Sequence, residues 1–524
     1  MADRNQTDPV RMEKIVSLCK RRGFIFQSAE IYGGLNGCWD YGPLGAELKR
    51  NLKEYWWRCN VQERDDVVGM DGSILTHNSV LVASGHVGGF SDPMCDCLLT
   101  KERLRADQVP AQSGTAFWYT GAKSKDGSWS VEKEFAVLVA SEEAARDARK
   151  TAAKFYVQLA AAGVSAADLE LQGERAEAVT DSVRFNPANG SLLTEPREFN
   201  LMFKTKIGAT SDENDPSAIG WLRPETAQSI FCQYKNILDS SRMKIPFGIA
   251  QIGKSFRNEI NPRNFTFRSR EFEQMEIEYF CRAEDGLKLT DEWLERRLCF
   301  YENIGIPREK IHILDVPDGE RAFYSKKTYD LEYEFPFGIQ ELEGIAYRTD
   351  YDLGSHQTGS GKSMEYFDEE SRERFIPHVV EPSAGCDRTV LAVICEAFDE
   401  EELGKDGKSD VRTVMRFHPR MAPIKAAVFP LLKKNEEQVR IAKEIVKELK
   451  PWMPVFYDEA GAVGRRYRRQ DEVGTPFCIT VDFDTLGENG EENKDTVTIR
   501  HRDSMEQERV PVKDVLHWLI KRIH

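Results

Sequence analysis

The run from Ile249 to Phe280, IAQIGKSFRNEINPRNFTFRSREFEQMEIEYF, reads as strand, loop, strand, with arginines and carboxylates where a sheet would bury apolar side chains. Side chains alternate faces along a strand. Arg257 and Glu259 therefore share one face of the first strand, and Ile252 and Phe256 the other. On the second strand Arg268, Arg270, Phe272, Gln274, Glu276 and Glu278 project to one side. Two structures carry so much charge: a solvated edge hairpin, or a platform for a charged ligand. The aromatic Phe272 between arginines and acids favours the platform. That mixture suits a nucleotide, with cations for phosphates, a ring for the base and acids for a metal or amine.

A chain of 524 residues holds two or three domains around a large core. No apolar run approaches the roughly eighteen residues of a membrane span. The N-terminus, MADRNQTDPV, has no apolar signal core, and its two aspartates argue against a transit sequence, so cytoplasm is the expected compartment. The eleven cysteines form no CxxC pair; with Cys95 and Cys97 as the one close spacing, neither structural zinc nor a disulfide framework is expected. A net charge of −15 means that a polyanion must be bound through local positive patches. The sharpest is Arg465-Arg466-Tyr467-Arg468-Arg469, which taken alone reads equally as a solvated helix face.

Helices are expected over about 9–22 and from Pro43, where Leu44, Leu48, Leu52 and Tyr55-Trp56 recur at helical spacing. From about 106 to 185 the composition shifts to Ala, Glu and Lys, which predicts an inserted helical segment. Another helix is expected over 290–304, before a strand at 337–347. The stretch GSHQTGSGKS (354–363) fails the phosphate-loop pattern, because its first glycine would fall at His356; it reads as a mobile polar loop. Beyond His418-Pro419, strands and helices alternate, which predicts a compact α/β domain with a mostly parallel sheet.

Several ordered blocks together resemble a known family. Phe256-Arg257-Asn258-Glu259, followed by Arg268 and Phe272, resembles motif 2 of class II aminoacyl-tRNA synthetases. Gly385-Cys386-Asp387-Arg388, after a strand-like 376–383, resembles motif 3. WLRPETAQSI (221–230), Glu381-Pro382-Ser383-Ala384-Gly385, the opening KRRGFIFQSAEIYGG…YGPLG and the closing DEVGTPFCITVDFDT…KDTVTIRHRDSMEQ are similar to the homodimeric glycyl type. The resemblance implies a catalytic core with an antiparallel sheet over 1–105 and 186–417, with motif 2 at about 249–280 and motif 3 at about 376–399. It also implies an anticodon-binding domain over 418–524.

The implied activity is glycine–tRNA ligation with ATP, Mg2+ and tRNA(Gly), in a homodimer free of membrane. Arg257, Arg268 and Arg388 would be the catalytic cations. Arg257, Asn258, Glu259, Phe267, Arg268, Phe272, Glu341, Leu342, Gly385 and Arg388 would hold ATP. Glycine would lie among Arg105, Glu225, Phe272, Glu273, Gln274, Glu276, Glu381 and Ser383. Glu341 and Glu381 would hold magnesium. Phe456, Tyr457 and the Arg465–Arg469 run are the candidates to read anticodon bases. A non-catalytic relative, or a ligase for another amino acid, are the alternatives. The first would typically lose the ATP-gripping arginines, and the second needs a polar or zinc set for a side chain.

Overall fold

The computed structural model describes residues 7–160, 164–208, 218–322, 324–404 and 410–523. They form two compact units: one of Met1–Ser84, Phe203–Arg257 and Pro262–His524, the other of Gly85–Met202 with Asn258–Asn261.

The first unit contains helices α1 (Pro9–Arg22) and α2 (Pro43–Trp57), strand β1 (Val67–Gly69), helix α3 (Ala227–Ser241), strands β2 (Phe247–Phe256) and β3 (Glu271–Cys281), and helix α4 (Gly286–Asn303). Strands β4 (Ile311–Asp315), β5 (Lys327–Phe335) and β6 (Gly338–Thr349), helix α5 (Tyr351–Ser360), strand β7 (His378–Gly385) and helix α6 (Cys386–Ala397) follow. The seven strands make one sheet in the order β4-β5-β6-β7-β3-β2-β1, antiparallel except where β1 runs parallel to β2.

Alternation gives this sheet two different faces. Met275, Ile277 and Tyr279 of β3, Ile345 and Tyr347 of β6, and Val380 and Ala384 of β7 join the main core. Leu48, Leu52 and Trp56 of α2 cover them, together with Trp293 and Leu298 of α4 and Val390 and Ile394 of α6. On the other face, α3 and Leu353 of α5 cover Phe247, Ile249, Phe280 and Val379. The rest of that face is polar.

The charged hairpin differs from its sequence reading at the loop. Strand β2 ends at Phe256 and β3 begins at Glu271, so Arg257, Arg268 and Arg270 lie on the connection. Asn264 and Phe265 adopt positive φ there, Arg268 bridges Arg263, and the Arg270 N–H donates to Gly37 O at 2.7 Å. Period-two reasoning therefore places Phe272, Gln274, Glu276 and Glu278 together but not the three arginines. The polar stretch expected as a loop is also different: it forms most of α5, because Leu353 and His356 are buried at helical spacing and Gly361 closes the helix in a left-handed turn.

In the second unit, the segment expected to be helical is mainly β-structure. Strands Gln112–Ser124, Ser130–Val139, Leu169–Gln172 and Arg175–Ser182 form an antiparallel sheet. The helix Ala145–Leu159 packs Ala148, Ala152 and Phe155 against Phe117, Phe135 and Val137. The Ala- and Lys-rich composition hid a pair of long strands whose aromatic residues pack against that helix.

The C-terminal part of the first unit alternates β8 (Ala426–Pro430), α7 (Glu436–Leu449), β9 (Val455–Tyr457), α8 (Val463–Val473), β10 (Phe477–Val481), β11 (Thr496–His501), β12 (Gln507–Pro511) and α9 (Val515–Ile523). The sheet order is β9-β8-β10-β11-β12; the first three strands are parallel and the rest antiparallel. Half the ladders thus depart from the expected parallel sheet, since β12 buries one side chain, Val510, and gives little apolar signal.

The arginine run lies on α8 and is largely occupied by the protein itself. Arg466 is 2% exposed and donates to the carbonyls of Pro430, Glu459 and Gly461. Arg468 pairs with Asp410 at 2.7 Å and Arg469 with Asp458. Buried carbonyls that lose a charged donor cost about 1–3 kcal/mol. Arg466→Ala is expected to lose that much in urea unfolding, and exposed Arg465→Ala less than about 0.5 kcal/mol. Equal, small losses would mean that the buried guanidinium holds nothing in place.

Candidate active site

The polar face of the sheet gathers carboxylates by register. Glu276 of β3 faces Ser383 of β7, and Ser383 faces Gly344 of β6; one row along, Glu381 faces Ala346. The Ser383 hydroxyl donates to Glu276 Oε1 at 2.8 Å, and the Thr226 hydroxyl donates to Oε2. Thr226 caps α3 but spends its hydroxyl on Glu276 rather than on the helix. The turn before α3 is tied to β2 by Arg223, whose guanidinium donates to Lys254 O at 2.8 Å.

One carboxylate oxygen each from Glu276, Glu278 and Glu381 lies within 4.8 Å of the other two. Glu225 and Asp352 add their charges nearby. The cation among them is Arg348, 3% exposed, which chelates both Glu381 oxygens at 2.8 and 2.9 Å and reaches Asp352 at 2.8 and 3.0 Å. Five carboxylates thus surround one guanidinium. Burial raises Glu276 above the usual carboxylate range and Glu278 well above it, aided by the charges of Glu225 and Glu381 respectively, and burial pushes Glu381 to about 8. The proton rests best on Glu278, whose two oxygens have no hydrogen-bond partner among the described residues. Glu381 is chelated, and Glu276 already accepts two hydroxyls. With five acids around one guanidinium, the pocket holds more acids than cations and suits a small cation.

Arginines and aromatic rings flank it. The Arg257 guanidinium lies 5.4 Å from the Phe272 ring centre, and its Nε donates to Pro224 O at 3.1 Å. Arg388, in the first turn of α6, lies 4.5 Å over Phe267 and donates to the Glu341 carboxylate at 3.2 Å. Phe267 is held edge-on by Phe335 and Phe337, each 5.2 Å away. Asp387 fixes the start of α6, accepting from Tyr41 at 2.5 Å, Lys49 at 2.7 Å and the Glu273 N–H at 2.6 Å. Gly385 opens that helix as its cap.

A second acidic group stands beside Arg388. A bulge in the β5–β6 ladder sets Glu341 opposite Glu332, and Gly344 opposite Asp330. Burial, then Glu341 and Glu332, push Asp330 up to about 7. The expected magnesium pair is therefore divided. Glu341 belongs to this group, whereas Glu381 lies opposite Ala346 and is chelated by Arg348.

Two other expected site residues turn away from the polar face, Glu273 and Leu342. Glu273 points to the opposite face, where Lys49 and Lys53 pair with it at 2.7 and 3.0 Å, because it is one residue out of phase with Phe272 and Gln274. The Leu342 side chain is 1% exposed in the apolar core, leaving its backbone for any ligand contact. Gln274 remains on the polar face, accepting from Ser255 at 2.7 Å and donating to Ser383 at 3.4 Å. Arg105, Asn258 and Glu259 belong to the second unit. There Arg105 pairs with Asp92 at 3.0 Å and Asp107 at 2.6 Å, and the Asn258 N–H donates to Leu201 O at 2.6 Å. Sequence reasoning missed Arg348, Asp352, Thr226 and Asp330. The first two had a signal, an arginine and an aspartate four residues apart in YRTDYD.

The family described as the tRNA synthetase class II core domain (G, H, P, S and T) matches residues 203–397, and the anticodon binding domain matches 425–522. The chain is 49% identical to a glycine–tRNA ligase of Clostridium perfringens, covering 96% of this chain and 97% of that one. It is 46% identical to that of Rhodopirellula baltica and 45% to that of Thermus thermophilus, each alignment covering 98% of this chain and 99% of the relative. In fold it resembles the Giardia lamblia prolyl-tRNA synthetase in complex with prolyl-adenylate, with a TM-score of 0.58 at 12% identity, over 98% of this chain and 77% of that one.

Proposed function

The chain belongs to the glycine–tRNA ligases of class II, and from that membership we propose how its own residues perform the reaction. The enzyme activates glycine with ATP, giving glycyl-adenylate and pyrophosphate, then passes glycine to tRNA.

The observation that supports the site assignment best is the carboxylate pocket around Glu276. Glycine has no side chain to recognise, so selection rests on gripping the ammonium and leaving no room at Cα. Glu276, fixed by Thr226 and Ser383, accepts from the ammonium, and Glu225 and Glu381 supply the surrounding field. In the first step a carboxylate oxygen of glycine attacks the α-phosphorus while the bond to pyrophosphate breaks. The nucleophile is already ionised at neutral pH, so the work left is positioning and stabilising charge. Arg257 draws the glycine carboxylate and α-phosphate together; Arg268 and Arg388 hold the γ-phosphate of a bent ATP; Phe272 offers its face to adenine.

Magnesium is read as held at the second acidic group, because Glu381 of the first is already chelated by Arg348. Glu341 stands opposite Glu332 and near Asp330, which burial raises first and the charges of Glu341 and Glu332 raise further. When bound there it would offset the charge on the phosphates. Further parts of the reading are a homodimer built through α2, a cytoplasmic site of action, and tRNA(Gly) read by 418–524. The core would comprise 1–105 and 186–417, with 106–185 as an insertion. No helix among the described residues is long and apolar enough to cross a membrane.

Pyrophosphate–ATP exchange tests the assignment. It should depend on glycine and give no signal with serine. With alanine it should run below about one part in a hundred, taking a methyl group forced into a filled site as costing about 1–3 kcal/mol before the rigid carboxylates add to it. Faster alanine-dependent exchange would remove the pocket described here.

A further inference from the structure

The central sheet carries a glycine that its own packing does not require. A Cβ at Gly69, Gly248 or Gly253 would meet a neighbour at 2.2, 3.0 and 2.1 Å respectively. Gly338 has a φ of 107°, and Gly385 ends its strand as the cap of α6. Gly344 has none of these reasons. It lies inside the twelve-residue strand β6, outside the left-handed region, and a Cβ there would meet nothing closer than Asp330 Oδ1 at 3.7 Å. That is ordinary van der Waals contact, so the folded chain has room for alanine.

Glycine inside a strand sacrifices backbone entropy and packing, and where no bulge or close backbone explains it, a ligand approaching the backbone does. The bulge in this ladder falls between Leu331 and Glu332, opposite Glu341 and Glu343 rather than Gly344. The position of Gly344 names the ligand. It lies on the polar face in one row with Ser383 and Glu276, opposite Asp330 on its other side, and three residues along β6 from Glu341. On one side is the pocket assigned above to the ammonium, and on the other the acids and Arg388 assigned to the triphosphate. What crosses between them is the link from acyl group to nucleotide.

We propose that Gly344 is a positioning residue whose missing side chain lets the α-phosphate and ribose of ATP, and then of glycyl-adenylate, lie directly on the β6 backbone. This rests on the reading of Glu276 as the ammonium end and Arg388 as the phosphate end. A Cβ would lift the nucleotide away from the attacking carboxylate while leaving the glycine pocket intact.

The test is Gly344→Ala in the full-length enzyme. Its melting temperature should hold or rise, because alanine restricts the unfolded chain at a compatible φ. The KM for ATP in glycine-dependent exchange should rise about 10-fold or more, with the KM for glycine changed less than about threefold. Unchanged exchange would overturn the proposal. So would a fall in melting temperature, since packing would then require the glycine, or a rise confined to the glycine KM. Should the unaltered enzyme show no glycine-dependent exchange, the site assignment itself fails, and that is read independently of the variant.

Discussion

Replacing Glu276 by glutamine is expected to raise the KM for glycine sharply while leaving that for ATP within about threefold. The amide keeps the size of the side chain and can still meet Thr226 or Ser383, but it no longer offers a full charge to the ammonium. Removing one partner of a buried, hydrogen-bonded charge pair costs about 2–4 kcal/mol, or about 30- to 1,000-fold in kcat/KM for glycine. Exchange kinetics at saturating ATP and then at saturating glycine measure the two terms. If both KM values rise together, the carboxylate shapes the whole cleft and does not select the amino group.

Arg348→Ala should produce the largest loss of stability. Breaking a buried ion pair by removing one partner costs about 3–5 kcal/mol, because the remaining charge is uncompensated; here Glu381 and Asp352 both lose their partner. The loss should depend on pH. Burial raises the pKa values of Glu276, Glu278 and Glu381 above those of the unfolded chain. The folded state therefore binds more protons, and the stability this gives is complete below about pH 4.5 and lost as pH rises toward 8. The ligand-free enzyme should melt at a higher temperature at pH 6 than at pH 8. Without the guanidinium the carboxylates hold protons more tightly, so the pH midpoint for glycine affinity should move upward in the variant. A stability change under about 1 kcal/mol with an unmoved midpoint would mean that Arg348 is not the counter-ion of this pocket.

The two variants probe residues of different legibility. Glu276 was readable because it sits in phase with Phe272 and Gln274, and alternation is a local property of the backbone. Arg348 was not read. It belongs to a strand that pairs with β5 and β7, and its partners Glu381 and Asp352 are ordinary acids until the register of β7 and the start of α5 bring them to it. Glu273 shows the opposite case. It sits among site residues in sequence, yet its one-residue offset turns it toward Lys49 and Lys53 on a helix more than 200 positions earlier.

The arginine run makes the same point from the surface. Five basic or aromatic residues in succession look like a nucleic-acid contact, but α8 turns Arg466 inward to three carbonyls. Sequence gives the charge, and the helix face with the carbonyls beneath it decides whether that charge is available.

Local chemistry in the chain alone determined the family, the antiparallel platform, the in-phase polar face of β3 and the helices that start at Pro9 and Pro43, because these depend on residue order and on side-chain periodicity. Three-dimensional packing alone decided that the acids divide into two groups, one facing Arg348 and the other Arg388, and that Gly344 opens onto the space between. Both outcomes depend on which strands become neighbours and on the bulge that shifts their register. Those contacts join positions tens to hundreds of residues apart, where no short-range pattern reaches.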